Sequence, residues 1–294
     1  MYQFAGSFKV DMIVNPAWQC VMEKSALNLI EISTGARPAD ELAQQVAGDI
    51  LCMQKRGAVR AGSLHLPFGR TINLAAADED MRRSSVAGAI EYINIFRELE
   101  IRNITVHCSN ECPQDADRSI HLQAMRRSCE DLLPLLQELN ASLNLELLPR
   151  ICIGNTVEEL LEITRDFPLE NIGICLDVNH GMNRGEQIPD MIKACGNRLK
   201  TLHISDYDNI DECHWNVGEG MLDWVAIRQT VAAVPQELLL IIETKPLKTA
   251  EWLHYEMDPR FAVQNVERNC MKFEFAAEQQ LLLEKIRQAG FKHL

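Results

Sequence analysis

The chain has no apolar run approaching the ~18 residues that a membrane-spanning helix needs. A membrane partner is therefore not expected. Positive charge is also scarce: 29 Lys and Arg stand against 42 Asp and Glu, a net charge of −13. Such a surface repels phosphate backbones, and nucleic acid is not expected as a partner. No glycine-rich phosphate turn follows the first strand-like run, where Gly6 stands alone. This weighs against an open nucleotide-binding sheet. Cysteine occurs ten times, but Cys108 and Cys112 form a CxxxC with no second pair. Neither a zinc knuckle nor a disulfide scaffold follows from that spacing. The opening MYQFAGSFKV lacks the basic and apolar regions of a secretory signal. A reducing cytoplasm is the expected location. Low-complexity linkers, short repeats and breaks in composition are missing too.

What is present is a regular alternation. Apolar residues make up 47% of the 294, ample for a large core. Eight strand-like runs are read at about Gln3–Val10, Leu27–Ser33, Ala61–Leu66, Asn103–Cys108, Ser142–Leu148, Ile172–Asp177, Lys200–Ser205 and Leu238–Thr244. Helical patterns separate them. Asp40–Gln54 carries Leu42, Val46, Ile50 and Met53 on one stripe. Asp78–Leu99 carries Met81, Ile90, Ile93 and Phe96. Thr156–Phe167 opens with a capping box in which Thr156 and Glu159 satisfy exposed backbone donors. Asp223 is placed to cap the next helix, and Pro134 is expected to kink or restart a long one. Strand and helix alternating eight times imply a closed parallel sheet, a (β/α)8 or TIM barrel. The whole chain, 1–294, reads as one such domain. A helical extension from about 247 is longer than one closing helix needs. It is expected to wrap the barrel foot or to join copies of the chain in a homo-oligomer.

The chemistry-bearing residues fall at the C-terminal ends of these runs. Glu146 lies in LNLELLPR, Asp177 in IGICLDVNH, His203 in LKTLHISD and Glu243 in LLLIIETK. Side chains alternate faces along a strand. Asn144 and Glu146 therefore share one face, Cys175 and Asp177 another, and Thr201 and His203 a third. A divalent cation is the simplest physical reason to converge three carboxylates and an imidazole from distant parts of the chain. Without one, the carboxylates are expected to repel and stay protonated. His65 in SLHLPF and His107 in ITVHCS occupy equivalent strand-end positions. His180 follows in DVNH, and His214 in the loop that also carries Gly218 and Gly220.

With DVNH, the HISD…HW.VGEG.LDW stretch and IIETK, the chain resembles the xylose-isomerase-like barrel superfamily from about Val10 to Lys245. That superfamily includes sugar isomerases, epimerases and endonuclease IV-type enzymes. The resemblance implies that Glu146, Asp177, His203 and Glu243 hold one divalent metal, Mn²⁺, Mg²⁺ or Zn²⁺. It implies that Glu146 and Glu243 also form the acid–base pair, that His180 contacts a substrate oxygen, and that Arg150 corresponds to an arginine common in the epimerases. His65, His107 and His214 are expected to line the same substrate pocket. Pro149 stands where those epimerases usually carry Asn. The implied function is a sugar, sugar phosphate or keto-polyol isomerase or epimerase, with a dehydratase as a relative.

Two glutamates on opposite faces of a sugar could take a proton beside the carbonyl and return it. The same residues also form a near-complete set for the three zinc ions of the endonuclease IV branch, with Glu212 loosely matching its missing aspartate. The acidic charge and the lack of basic DNA-contact loops stand against that alternative. A silent sugar-binding barrel is a third. Trp18, Phe68 and Trp215 are candidates to cover a sugar's apolar face or to pack. Arg150, Arg184 and Lys245 are candidate anion contacts or structural charges. The substrate, and whether it is phosphorylated, is open.

Overall fold

The structure, a computed structural model, describes residues 1–69, 72–110, 117–245 and 257–288. Cys112 lies outside the described residues, as does 246–256, where the expected extension begins. Eight parallel strands close into a barrel: β1 Tyr2–Lys9, β2 Leu29–Ser33, β3 Arg60–His65, β4 Asn103–Val106, β5 Ser142–Glu146, β6 Ile172–Asp177, β7 Leu199–Ile204 and β8 Leu238–Ile242. The expected (β/α)8 architecture is thus present, with strand ends shifted by one or two residues. Because β4 and β8 stop early, His107 and Glu243 lie just beyond their strands.

The pleat sorts the residues as their alternation predicts. Leu143, Leu145, Ile174, Leu176, Leu202, Ile204, Leu240 and Ile242 face outward into the main core under the helices. Ala5, Leu29, Leu239 and Ile241 form a separate apolar cluster. Their parity places that cluster inside the barrel. Two residues further along three of the same strands the inward positions become Ser7, Glu31 and Glu243. The barrel is therefore plugged toward its foot by apolar contacts, each large side chain contributing about 1.5–3 kcal/mol. Toward the rim the interior becomes polar.

The outer helices are α1 Val10–Ile13, α2 Pro16–Met22, α3 Asp40–Lys55, α4 Glu79–Ile95, α5 Arg118–Leu139, α6 Val157–Thr164, α7 Ile188–Cys195, α8 Trp224–Ala233, α9 Pro259–Glu274 and α10 Ala276–Gln288. In α4 the buried stripe is shifted from the expected one. Met81 is exposed, and Arg82 is buried with its guanidinium on Glu79, Asp131 and Ser128. An ion-paired arginine with a long apolar stem fills a helix–helix seam that pattern reading gives to methionine. Helix α5 continues through Pro134 without restarting. Thr156 accepts from the Glu159 amide as the capping box predicts. The Glu159 carboxylate, however, accepts instead from the Gly154 amide and pairs with Arg118. Asp223 caps α8 by accepting from the Ala226 amide. Helix α9 packs on α2, α8, β1 and β8, in the place of the outermost closing helix.

The rim loops are built with strain. Arg150, Met182, Asn209 and His214 all have positive φ without being glycine. Such backbone persists only where surrounding contacts over-determine it. The G-E-G turn is such a place. A Cβ on Gly220 would lie 2.2 Å from the Tyr207 carbonyl oxygen, so only glycine fits. Asp206, fully buried, gathers the turn by accepting from the amides of Tyr207, Gly218 and Leu222 and from Trp224 Nε1.

Candidate metal centre

Four side chains from β5, β6, β7 and the residue after β8 meet at the rim. His203 Nδ1 lies 3.3 Å from Glu146 Oε1, 3.1 Å from Glu243 Oε2 and 3.9 Å from Asp177 Oδ2. Despite these distances, neither His203 Nδ1 nor Asp177 Oδ2 makes a hydrogen bond, and both atoms are buried. Metal bonds of about 2.1 Å place neighbouring ligand atoms about 3.0–3.4 Å apart in octahedral or tetrahedral shells. Glu146, Asp177 and His203 also satisfy the grouping expected of ligands, their donor atoms all lying within 4.8 Å of one another. Buried polar atoms left unpaired are costly, and a divalent cation would satisfy these. Glu146, Asp177 and His203 fit a metal ion, and Glu243 adds a carboxylate oxygen 3.1 Å from His203 Nδ1.

The four histidines fall into place around that quartet. His65 Nδ1 donates to the Leu66 carbonyl oxygen, which leaves its Nε2 facing Glu146 Oε2 at 3.1 Å. His107 Nε2 reaches the same carboxylate oxygen at 3.0 Å. In a neutral ring so fixed, Nε2 of His65 is a lone pair, and a lone pair opposite a carboxylate needs a proton or a cation between them. His180 Nδ1 donates to the Leu147 carbonyl oxygen, and its Nε2 faces Glu212 at 3.1 Å. His65, His107 and Glu146 form a second group with metal-ligand spacing; Asp177, His180 and His214 form a third.

Electrostatics give the same message. Burial pushes the Glu146 carboxyl up, but His107 and His203 outweigh it and hold it well below the usual range. Glu243 is also held low against its burial, by His203 and His214. Asp177 goes the other way, because burial dominates there. Burial opposes charging of His65, yet Glu146 and Glu31 lift it to about 9. His180 is lifted against burial to about 10 by Asp177 and Glu212. His107 is lowered by burial. Of the three carboxylates, only Asp177 is shifted in the direction that protonation needs. Imidazolium protons supply the positive charge that a cation would otherwise bring.

Glu31, fully buried at mid-strand in β2, is not among the residues the strand-end motifs pick out. It accepts from Ser7 Oγ at 3.1 Å and Ser63 Oγ at 2.8 Å, and its Oε2 lies 3.4 Å from His203 Nε2. At that distance the far nitrogen of His203 makes no hydrogen bond, and Glu31 acts on the ring through its charge, which favours the protonated imidazole against its burial. The available signal is a lone charge between Ile30 and Ile32, inward-facing by parity. Arg150 turns its guanidinium to Asp211 and Glu212, at 3.0 and 2.5 Å. Trp18 is buried against Phe8 and is a packing residue. Phe68 stacks on His107 with ring centroids 4.2 Å apart and forms part of the site wall.

A closed parallel barrel with candidate metal-ligand clusters at its C-terminal rim has its site where such barrels carry their chemistry. The xylose isomerase-like TIM barrel family model matches residues 36–257, and the chain belongs to that family. It is similar to an uncharacterized protein of Methanocaldococcus jannaschii, 24% identical over 198 residues, 64% of this chain and 65% of that protein. The chain thus spans slightly less than two thirds of that relative. It is also 23% identical to a probable endonuclease 4 of Persephonella marina, over 69% of this chain and 76% of that one. Among solved structures, a D-tagatose 3-epimerase-like protein superposes with a TM-score of 0.75 at 21% identity, covering 94% of this chain and 99% of that one.

Proposed function

We propose that the chain is a divalent-metal-dependent enzyme that isomerises or epimerises a small sugar or sugar derivative by proton transfer beside a carbonyl. The observation that carries this reading is the convergence of Glu146, Asp177, His203 and Glu243, with Asp177 Oδ2 and His203 Nδ1 buried and unpaired. The shape shared with a D-tagatose 3-epimerase-like protein over nearly the whole chain supports it. A divalent ion in this quartet would polarise the sugar's carbonyl and acidify the adjacent C–H. The chain's own residues do the rest. Glu146 and Glu243 reach the centre from strands three places apart around the barrel, so their carboxylates approach a bound sugar from different sides. Glu243, with 31% of its side chain exposed, is the accessible proton acceptor. Glu146, at 1%, is held by His65, His107, His180 and His203 on the closed side, and would return a proton there by relaying one from the His65 imidazolium 3.1 Å from its Oε2. Burial of Glu146, Asp177 and His203 keeps bulk water from that side of the reacting carbon.

A second reading rests on the two further ligand groups. His65 and His107 with Glu146, and Asp177 with His180 and His214, offer places for more ions and favour a polynuclear phosphodiesterase. The similarity to a probable endonuclease 4 supports the same reading.

Two measurements separate the readings. The first is metal content of the purified protein. The second is solvent deuterium entering C2 or C3 of a panel of ketoses and aldoses. About one tightly bound ion per chain with deuterium incorporation supports the sugar enzyme. Three zinc ions with cleavage of abasic DNA, and no exchange into any sugar, would replace it with the phosphodiesterase.

A further inference from the structure

We infer that Asn265 and Asn269 of helix α9 are positioning residues for catalysis, bracing Glu243 through Thr244 and Asn216 and so placing the proton acceptor on the open side of the site. This deepens the sugar reading and rests on it for the role of Glu243.

Strand β8 ends at Ile242, so Glu243 stands one residue past the regular ladder. Glu146, by contrast, closes its strand and is gripped by four imidazoles. The Glu243 carboxylate meets His203 at 3.1 Å. Its backbone amide donates to the Ile204 carbonyl oxygen at 3.1 Å. The residue that follows is fixed from α9. Thr244 is buried, and its hydroxyl oxygen accepts from Nδ2 of Asn265 and of Asn269, both at 3.3 Å. The same two amides donate to Asn216 Oδ1, both at 2.8 Å. Asn216 belongs to the loop of His214, whose ring faces the Glu243 carbonyl oxygen at 3.3 Å. One pair of asparagines, a helical turn apart, therefore clamps the end of β8 to the loop after β7.

Two features point to a built support. The first is orientation. Asn269 Oδ1 accepts from the Val217 amide at 2.7 Å, which leaves its Nδ2 toward Asn216 and Thr244. Each of those acceptor oxygens has two lone pairs, and each receives two donors. The second is placement. Asn265 and Asn269 share the buried face of α9 with Ala262, Val263, Val266 and Phe273. Buried amides on such a face cost stability unless partnered, and asparagine is a poor helix former beside alanine or leucine. A buried network that is fully satisfied fixes one arrangement. Helix α9 also begins at Pro259, beyond residues 36–257 that match the family model. The brace on the open side thus comes from outside the matched segment.

The experiment uses the full chain and a double-mutant cycle between Asn269→Leu and Glu243→Gln, read first as Mn²⁺ affinity by chelator competition. Asn269→Leu should weaken Mn²⁺ about 10-fold, the scale on which metal sites lose affinity when a hydrogen bond behind a ligand is removed. In the Glu243→Gln protein the same change should add less than about two-fold, because residues acting through one contact chain are not additive. With a sugar that exchanges deuterium, Asn269→Leu should lower kcat about 10- to 100-fold and leave KM within about three-fold, since a small misplacement costs rate. Phe273→Leu is the control for stability. Phe273 is buried on the same helix against Tyr2, Phe4 and Trp224. Its truncation should lower the thermal midpoint while Mn²⁺ affinity and kcat stay within about two-fold. Should Asn269→Leu fail to fold, Thr244→Val removes the shared acceptor and Thr244→Ser restores it, so the loss and its recovery carry the same test.

Additive losses of Mn²⁺ affinity overturn the inference. So does a fall in kcat that Phe273→Leu reproduces, because any loosening of α9 would then explain it. If sugars exchange deuterium and the cycle is additive, this inference fails while the sugar reading stands. If the unaltered protein exchanges deuterium into no sugar, the sugar reading fails, and a non-additive cycle still supports Asn269 as the brace behind Glu243.

Discussion

The two sides of the barrel rim are built differently. On the β3–β6 side Glu146 is sealed, its Oε2 met by His65 and His107 and its Oε1 by His180 and His203. On the β8–β1–β2 side Glu243 is 31% exposed and opens onto a cavity with hydroxyls, lysines and Phe68 on its wall. The same residue type serves twice, once as a fixed ligand shelf and once as a wall beside free volume. The sealed side stores preorganisation, since its donors are already held by backbone carbonyls such as those of Leu66 and Leu147. The open side keeps room for a reacting molecule.

The largest expected effect breaks the comparison on both sides at once. Glu146→Gln and Glu243→Gln should each abolish deuterium exchange, since general-base assistance alone is typically worth ~10²–10⁴ in rate. The metal should separate them, with Glu146→Gln losing it under dialysis and Glu243→Gln retaining a weakened site. If either variant keeps wild-type exchange, the two-glutamate assignment is wrong.

The next effect tests the brace under the open side. Asp206→Ala removes the acceptor for three amides and the Trp224 indole. Leaving such donors buried and unpaired should cost roughly 3–5 kcal/mol, seen as a lower midpoint in urea unfolding. A midpoint shift below about 1 kcal/mol would mean the turn holds without it.

A smaller effect probes the support beneath the quartet. Glu31→Gln should weaken metal affinity about 10- to 100-fold by chelator competition, with the apo protein's thermal midpoint little changed. Unchanged affinity would reduce Glu31 to a packing role.

The smallest is His180→Ala. It should lower exchange by about ten-fold or less, because Asp177 and Glu146 remain in place while only an orienting contact is lost. A loss as large as that of Glu146→Gln would move His180 into the chemistry and strengthen the polynuclear reading.

Much of this was legible along the chain. Leu143, Leu145, Ile172, Ile174 and Leu176 alternate with Asn144, Glu146, Gly173, Cys175 and Asp177. Such alternation can be satisfied by a sheet with one face under helices and the other toward a polar interior. Misreadings arose where a side chain bridges distant elements. Arg82 is buried because Asp131 of another helix pairs with it. Glu159 leaves its expected capping partner because Arg118 and Gly154 compete for it. Glu31 shows neither strand-end position nor motif, and its role depends on meeting His203 across the barrel.

By itself the sequence determined the alternation of eight strands with helices and the place of Glu146, Asp177, His203 and Glu243 at or just past strand ends. These depend on periodicity, burial and local backbone sterics, all short-range along the chain. Only the tertiary structure decided that Glu146 is sealed while Glu243 is open. It alone turned Arg150 onto Asp211 and Glu212, and brought Glu31 of β2 to 3.4 Å from His203 of β7. Each of these is a contact between residues tens to hundreds of positions apart. Closing the sheet, by joining its first strand to its last, is the step that brings them together.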